Sequence, residues 1–274
     1  MYRMTETVKH LLIINVIMFI GTVTVGGGEL FYNLFALHFP KNSLFQPWQI
    51  ITHMFMHGGL THILFNMFAL WMFGTAVEQQ FGGKKFLFFY ISAGLGAALI
   101  MLGYNYLQYI NAEKGIEGLN MGSELVKKIV SINASDGMAI RGDLLSQKML
   151  PILKEYNFNP GLLDQSSFKA LFDMNVIGSG TMVGASGAIM GVLVAFGMLF
   201  PEAKLMLIFL PIPVKAKYFI PAIIGLDLFS AITGTSIFSP SNTAYVAHVG
   251  GALTGFLIMM YWKKTQFNKN RWDR

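Results

Sequence analysis

The chain contains no cysteine, and only 12% of its 274 residues are charged. The missing thiol removes disulfides, thiolate metal sites and cysteine nucleophiles, while leaving the redox compartment open. The charge is about half of the roughly 25% found in ordinary globular domains. Counting Gly and leaving out Tyr, the apolar share is roughly 61%, against about 45–50% in such domains. A sphere of this size cannot bury so much apolar surface and still cover itself with so few charges. Soluble globules, disordered chains and coiled coils are thereby excluded. The formal charge is +6, and where the cations sit carries more meaning than their sum.

What is present is a series of charge-free apolar stretches of membrane-spanning length, each edged by Lys, Arg, Asp or Glu. They run over about 11–25, 60–77, 86–106, 182–200, 218–232 and 244–262. The apolar stretch 205–214 is too short to span and is broken by Pro211 and Pro213, so it reads as an interfacial connector. Arg3 and Lys9 precede an apolar run in the manner of a signal peptide. Gly-Gly-Gly at 26–28 replaces a small-residue cleavage site, so retention as a span is expected. The expected fold is all-α, a polytopic bundle of six membrane helices.

Loop charge orients it. With the N-terminus inside, the short inner segments hold twelve cations, from Arg3 and Lys9 through Lys84, Lys85, Lys204, Lys215 and Lys217 to the tail. The short outer segments, about 26–59 and 234–243, hold only Lys41. The positive-inside rule therefore places both ends in the cytoplasm. The basic tail anchors the last span against anionic lipid, and no nucleic-acid partner is expected. The interval 108–177 carries seven Lys/Arg and eight Asp/Glu and falls on the outer side. Helix-like spacing over 123–131, 144–156 and 166–173, with a break at Asn159, Pro160 and Gly161, predicts a mostly helical lobe. Three parts follow: membrane helices 1–3 (1–107), the lobe (108–177), and membrane helices 4–6 with the basic tail (178–274).

Polar groups inside apolar spans are costly and point to function. Ser186, His248, His62 and Asn66 all fall toward the outer face. Ser186 stands at a helix start, where backbone N–H groups without intrahelical partners can receive an oxyanion. His248 is the one histidine in the second half of the chain, suited to take a serine proton and return it to a leaving amine. Gly251 and Gly255 share its helical face, and Gly184, Gly187 and Gly191 mirror them on the fourth span. Two glycine faces let helices meet with little gap. His62 and Asn66, four apart, project from one face and can each donate to developing negative charge. His53, His57 and His62 invite a metal reading, but no carboxylate accompanies them and the His-Glu-x-x-His pattern is missing, so no metal is expected. Asp227 in the fifth span reads either as a third triad member or as part of an ion pathway. Its expected depth does not match the outer cluster, which favours satisfaction by a neighbouring helix or the inner interface. His248 is then expected to work without a carboxylate, in a slow enzyme.

With these residues in place, the sequence resembles the rhomboid intramembrane serine proteases, over 47–103 and 180–262. The resemblance rests on Thr52-His53-Met54-Phe55-Met56-His57-Gly58-Gly59, His62-Ile63-Leu64-Phe65-Asn66, Gly184-Ala185-Ser186-Gly187, and Ala247-His248-Val249-Gly250-Gly251 with Gly255. It implies a six-helix core, no cofactor, and cleavage of membrane-anchored protein substrates near the outer end of their spans. It also implies Ser186 as nucleophile, His248 as general base, and an oxyanion hole of His62, Asn66 and the Ser186 backbone N–H. Two positions depart from the family. Gln49 replaces an arginine thought to brace the first outer loop, and Met190 replaces an aromatic that packs on the catalytic imidazole. A catalytically silent, client-binding relative would share the core but lack one dyad residue, and both are present. A transporter would account for Asp227 and the glycines, yet no inverted repeat is evident. With no organelle transit signal visible, a bacterial plasma membrane is the expected location, with the site facing outward.

Overall fold

The computed structural model describes residues 4–137, 139–207, 210–235 and 245–267. Arg3, Lys269, Arg271 and Arg274 of the inner-side cations, and the outer stretch 236–244, lie outside the described residues. In chain order the helices are α1 (Glu6–Thr24), α2 (Glu29–Phe35), α3 (Gln49–Thr52), α4 (Leu60–Ala69), α5 (Thr75–Phe81), α6 (Gly83–Lys114), α7 (Ser123–Val130), α8 (Gly142–Glu155), α9 (Gln165–Ser179), α10 (Ser186–Leu199), α11 (Ala216–Thr233) and α12 (Tyr245–Trp262). A π-turn, Leu70–Gly74, joins α4 to α5 into one apolar rod. The chain divides into two compact units, Met1–Ala36 with Trp48–Met101 and Val183–Arg274, and Leu37–Pro47 with Leu102–Met182.

Five helices of the described chain are long and apolar enough to cross a membrane: Glu6–Thr24, Leu60–Phe81, Gly83–Lys114, Ala216–Thr233 and Tyr245–Thr265. The fourth apolar stretch is different. Its helix, α10, has only 14 residues. It rises about 20 Å, against about 30 Å of hydrocarbon. It is also the most enclosed, with every residue from Gly187 to Phe196 buried. Outward on the other helices stand large apolar side chains such as Ile17, Phe88, Ile232 and Leu257, each more than half exposed. Such a surface is at home only in lipid.

Lipid tails are as apolar as leucine, so burial alone does not hold these helices together; close packing and internal hydrogen bonds do. Glu78 shows the second device. Its carboxylate accepts from Thr5 Oγ1 (2.6 Å), Thr7 N (3.0 Å) and Val8 N (2.9 Å), satisfying the otherwise orphaned N–H groups at the start of α1. The segment expected as a simple connector is a hairpin, β3 (Lys204–Leu207) antiparallel to β4 (Leu210–Lys215). Its strands pair Lys204 with Lys215, Leu205 with Val214 and Leu207 with Leu210, with a shift of register between Leu205 and Leu207. Glu202, beside it, bridges Lys215 and Lys217 at 2.6 Å each. The two ammonium groups hold that carboxyl at about 2.

The second unit follows the rules of water. α7 turns Leu125 and Ile129 inward and Lys127 and Lys128 outward. These meet Leu145, Leu153, Leu171 and Met174 from α8 and α9 in a separate core. Each such side chain contributes about 1.5–3 kcal/mol on burial. Asn175, fully buried, donates to the carbonyls of Ile129, Val130 and Ile132 at 2.9–3.2 Å, closing the C-terminus of α7. Asp164 caps α9 through Ser167 N (2.8 Å). β1 (Leu37–His38) pairs antiparallel with β2 (Thr181–Met182) in the same unit.

Candidate active site

Ser186 begins α10. Gly184, two residues earlier, has φ +126°, a backbone state that side-chain-bearing residues rarely adopt. Its N–H donates to the carbonyl of His53 at 2.9 Å, fixing the approach to the helix. Ala185 at the N-cap offers no side-chain cap. The first intrahelical bond runs from Ile189 N to Ala185 O, so the N–H groups of Ser186, Gly187 and Ala188 have no acceptor within the helix.

His248 reaches this point from α12. Its Nε2 lies 2.9 Å from Ser186 Oγ. The approach depends on glycine. A Cβ on Gly251 would overlap the Gly187 carbonyl group, and one on Gly255 would stand 2.7 Å from Gly191 Cα. On its other flank α10 is equally close: a Cβ on Gly191 would meet Ala93 Cβ at 2.5 Å, and one on Gly187 would meet Ala97 Cβ at 2.6 Å. Gly184 differs from Gly187 and Gly191, since it faces His62 rather than α6 and α12.

The opposite edge of the His248 ring corrects the expectation that this histidine has no carboxylate beside it. Nδ1 lies 2.9 Å from Asp227 Oδ2, and both side chains are largely enclosed, at 15% and 12% exposure. The depth argument failed because α10 is short. Asp227 stands eleven residue steps above the start of α11, about 16 Å along the axis. Ser186 stands thirteen steps above the end of α10, about 20 Å, and the two are nearly level. The usable signal was that Asp227 is the one carboxylate within the fifth apolar stretch.

His62 and Asn66 lie on α4. Gly58 N–H donates to His62 Nδ1 at 3.3 Å. In a neutral ring the proton then sits on Nε2, making that atom a donor. This donor borders Ser186: a Cβ on Gly184 would stand 2.9 Å from His62 Nε2 and 3.7 Å from Ser186 Oγ. Asn66 is buried one turn further on, and its carboxamide has no hydrogen-bond partner among the described residues. His57 is buried with its ring centroid 5.0 Å from that of His62. His53 Nδ1 faces the Gln49 carbonyl at 2.9 Å. Among the described residues, no group of three His, Asp or Glu is arranged to hold a metal.

The first loop is braced without an arginine. Trp48 Nε1, Gln49 Nε2 and Thr52 Oγ1 donate to the carbonyls of Leu34, Asn33 and Phe35 at 2.8–3.0 Å. Gln49 is fully buried there, where a neutral amide avoids the cost of a buried guanidinium. Met190, one turn after Ser186, is buried within α10.

The Rhomboid domain model matches residues 44–121 and 160–264, two thirds of the chain and every element of this site. The chain belongs to the rhomboid family. It is a multi-pass integral membrane protein. Among its relatives, rhomboid protease GluP of Bacillus subtilis is 34% identical over 89 residues, covering 31% of this chain and 18% of GluP. Rhomboid protease AarA of Providencia stuartii is 26% identical over 194 residues, 67% of each chain. The human presenilin-associated rhomboid-like protein, mitochondrial, is 26% identical over 208 residues, 76% of this chain and 36% of that one. The chain thus spans between about a fifth and two thirds of the length of these rhomboid relatives.

Proposed function

We propose that this rhomboid is a serine endopeptidase that cleaves membrane-anchored proteins near the outer end of their spans. The observation that carries the reading is the 2.9 Å approach of His248 Nε2 to Ser186 Oγ. In the first step the Ser186 hydroxyl proton passes to Nε2, and the oxygen lone pair forms a bond to the scissile carbonyl carbon. The carbonyl π pair moves to oxygen. That oxyanion is received by the Ser186 backbone N–H, the Nε2–H of His62 and the amide of Asn66. Collapse breaks the C–N bond, with the leaving amine taking the proton from Nε2. Water, deprotonated by the same nitrogen, then releases the acyl group from Ser186.

The short α10 supports an intramembrane location. Its far end leads into Glu202 and the Lys215 and Lys217 ammonium groups, which belong at an interface. A rise of about 20 Å from there leaves Ser186 roughly 10 Å short of the opposite boundary of the hydrocarbon. Water then needs a polar path from the outer side to reach it. With Lys84, Lys85, Lys204, Lys215, Lys217, Lys263 and Lys264 on the inner side, the Ser186 end of α10 faces outward, and the expected membrane is a bacterial plasma membrane. A substrate helix must unwind to expose its backbone, which favours Gly, Pro or small polar residues at the cut. The test is Ser186→Ala in reconstituted vesicles carrying a tagged single-span substrate. Cleavage is expected to disappear, and undiminished cleavage would refute the assignment.

A further inference from the structure

We propose that Asp227 is a positioning residue that makes the Ser186–His248 pair work as a three-membered relay; this rests on the protease reading above. Asp227 lies in α11 between Leu226 and Leu228, which are 36% and 46% exposed, whereas Asp227 is 9% exposed. The helix thus turns its neighbours to lipid and this carboxylate inward, with Ser230 buried one turn later on the same side. An ionised group in an apolar span requires a partner. Among the described residues the one hydrogen-bond partner of Asp227 is His248 Nδ1, at 2.9 Å.

The two edges of the imidazole therefore have distinct duties. A carboxylate only accepts, so Nδ1 carries the proton of the neutral ring. The Nε2 lone pair then faces Ser186 Oγ, which is the tautomer a general base needs. When Nε2 gains the serine proton, the adjacent carboxylate balances the imidazolium charge in a medium with little water to do so. The groups facing the ring are Ser186 from α10, Asp227 from α11 and His62 from α4. Asp227 is the only anion among them. It touches neither substrate nor reacting atoms and acts through His248.

A merely structural tie between α11 and α12 would use the same contact, so the test needs readouts that separate the two. Asp227→Asn preserves shape and hydrogen bonding but lets an amide N–H donate to Nδ1, moving the ring proton to Nε2. We expect kcat in vesicles to fall by at least about 100-fold, with KM and thermal unfolding in detergent unchanged. Asp227→Glu is expected to restore part of the rate. In a His248→Ala background, Asp227→Asn is expected to cost nothing further. Wild-type kcat in Asp227→Asn, or an equal loss of rate in both backgrounds, would overturn the proposal. If the variant does not fold, the tautomer in the wild-type protein decides. With 15N-labelled histidine, the signal that disappears in His248→Ala is expected to report a proton on Nδ1, and a proton on Nε2 would overturn the relay. The two readings fail separately. Undiminished cleavage by Ser186→Ala defeats the protease assignment, whereas its loss alongside an unaffected Asp227→Asn defeats the Asp227 role alone.

Discussion

The distance between Ser186 and His248 is set by glycine, and Gly251→Ala measures how much the proposed chemistry depends on it. An alanine Cβ at this position would stand 2.7 Å from the carbonyl carbon of Gly187 and overlap its oxygen. Carbon atoms in ordinary contact are about 3.5–4.0 Å apart. Both partners are backbone of helices, so neither side can swing away, and α10 and α12 must separate by roughly 1 Å to restore normal contact. Gly187 adjoins Ser186, and Gly251 lies one turn from His248. The 2.9 Å bond between them would then lengthen to roughly 4 Å, beyond hydrogen-bond reach. Loss of the general base costs about 10²–10⁴-fold in rate. Overpacking itself costs about 1–3 kcal/mol of stability. The assay is turnover of a tagged single-span substrate in vesicles, with thermal unfolding measured in parallel. Gly225→Ala on α11 is the control, because a Cβ there meets nothing within 4 Å; it is expected to keep wild-type turnover. Gly251→Ala with undiminished kcat would refute the claim that direct Ser186–His248 contact drives catalysis.

Two further expectations follow from single groups. Asn66→Ala removes one proposed oxyanion donor and is expected to lower kcat by about 10²–10³-fold, equivalent to about 2.7–4 kcal/mol, with little change in KM; kinetics across substrate concentration checks the split. Glu202 is held at about 2 by Lys215 and Lys217, below its ordinary 4.5. A depressed carboxyl stabilises the folded state at pH values above the unfolded value and loses that contribution as pH falls toward 2. The bridge to the β3–β4 hairpin is thus expected to persist at pH 4, seen as a Glu202 carboxyl resonance that titrates near 2 rather than near 4.5.

Much of this molecule is written locally. Charge-free runs reveal five of the membrane helices because lipid demands an unbroken apolar surface on each of them. The amphipathic spacing of Leu125 and Ile129 likewise marks α7, since water demands two-faced helices. The polar residues Ser186, His62, Asn66 and His248 are conspicuous because each stands in apolar surroundings. What escapes the sequence is relational. The length of α10 is decided where φ of Gly184 turns positive and where Phe200 leaves the helix, and the depth of Ser186 follows from it. Asp227 was visible as a buried charge, but pairing it with His248 required knowing that depth. The hairpin at 204–215 was hidden because two prolines argued against a span without indicating what replaces it. Gln49 was legible as a lost charge; that its amide reaches the Asn33 carbonyl depends on α2 and α3 meeting in space.

The central claim is that Ser186 is made nucleophilic by His248, and covalent capture tests it most directly. The protein in vesicles is treated with a fluorophosphonate and the modified residue located by mass spectrometry. The account expects one adduct on Ser186, formed by the wild-type protein and absent in His248→Ala. Labelling of Ser186 at an equal rate in His248→Ala, or no adduct on Ser186 in a wild-type protein that cleaves its substrate, would contradict it.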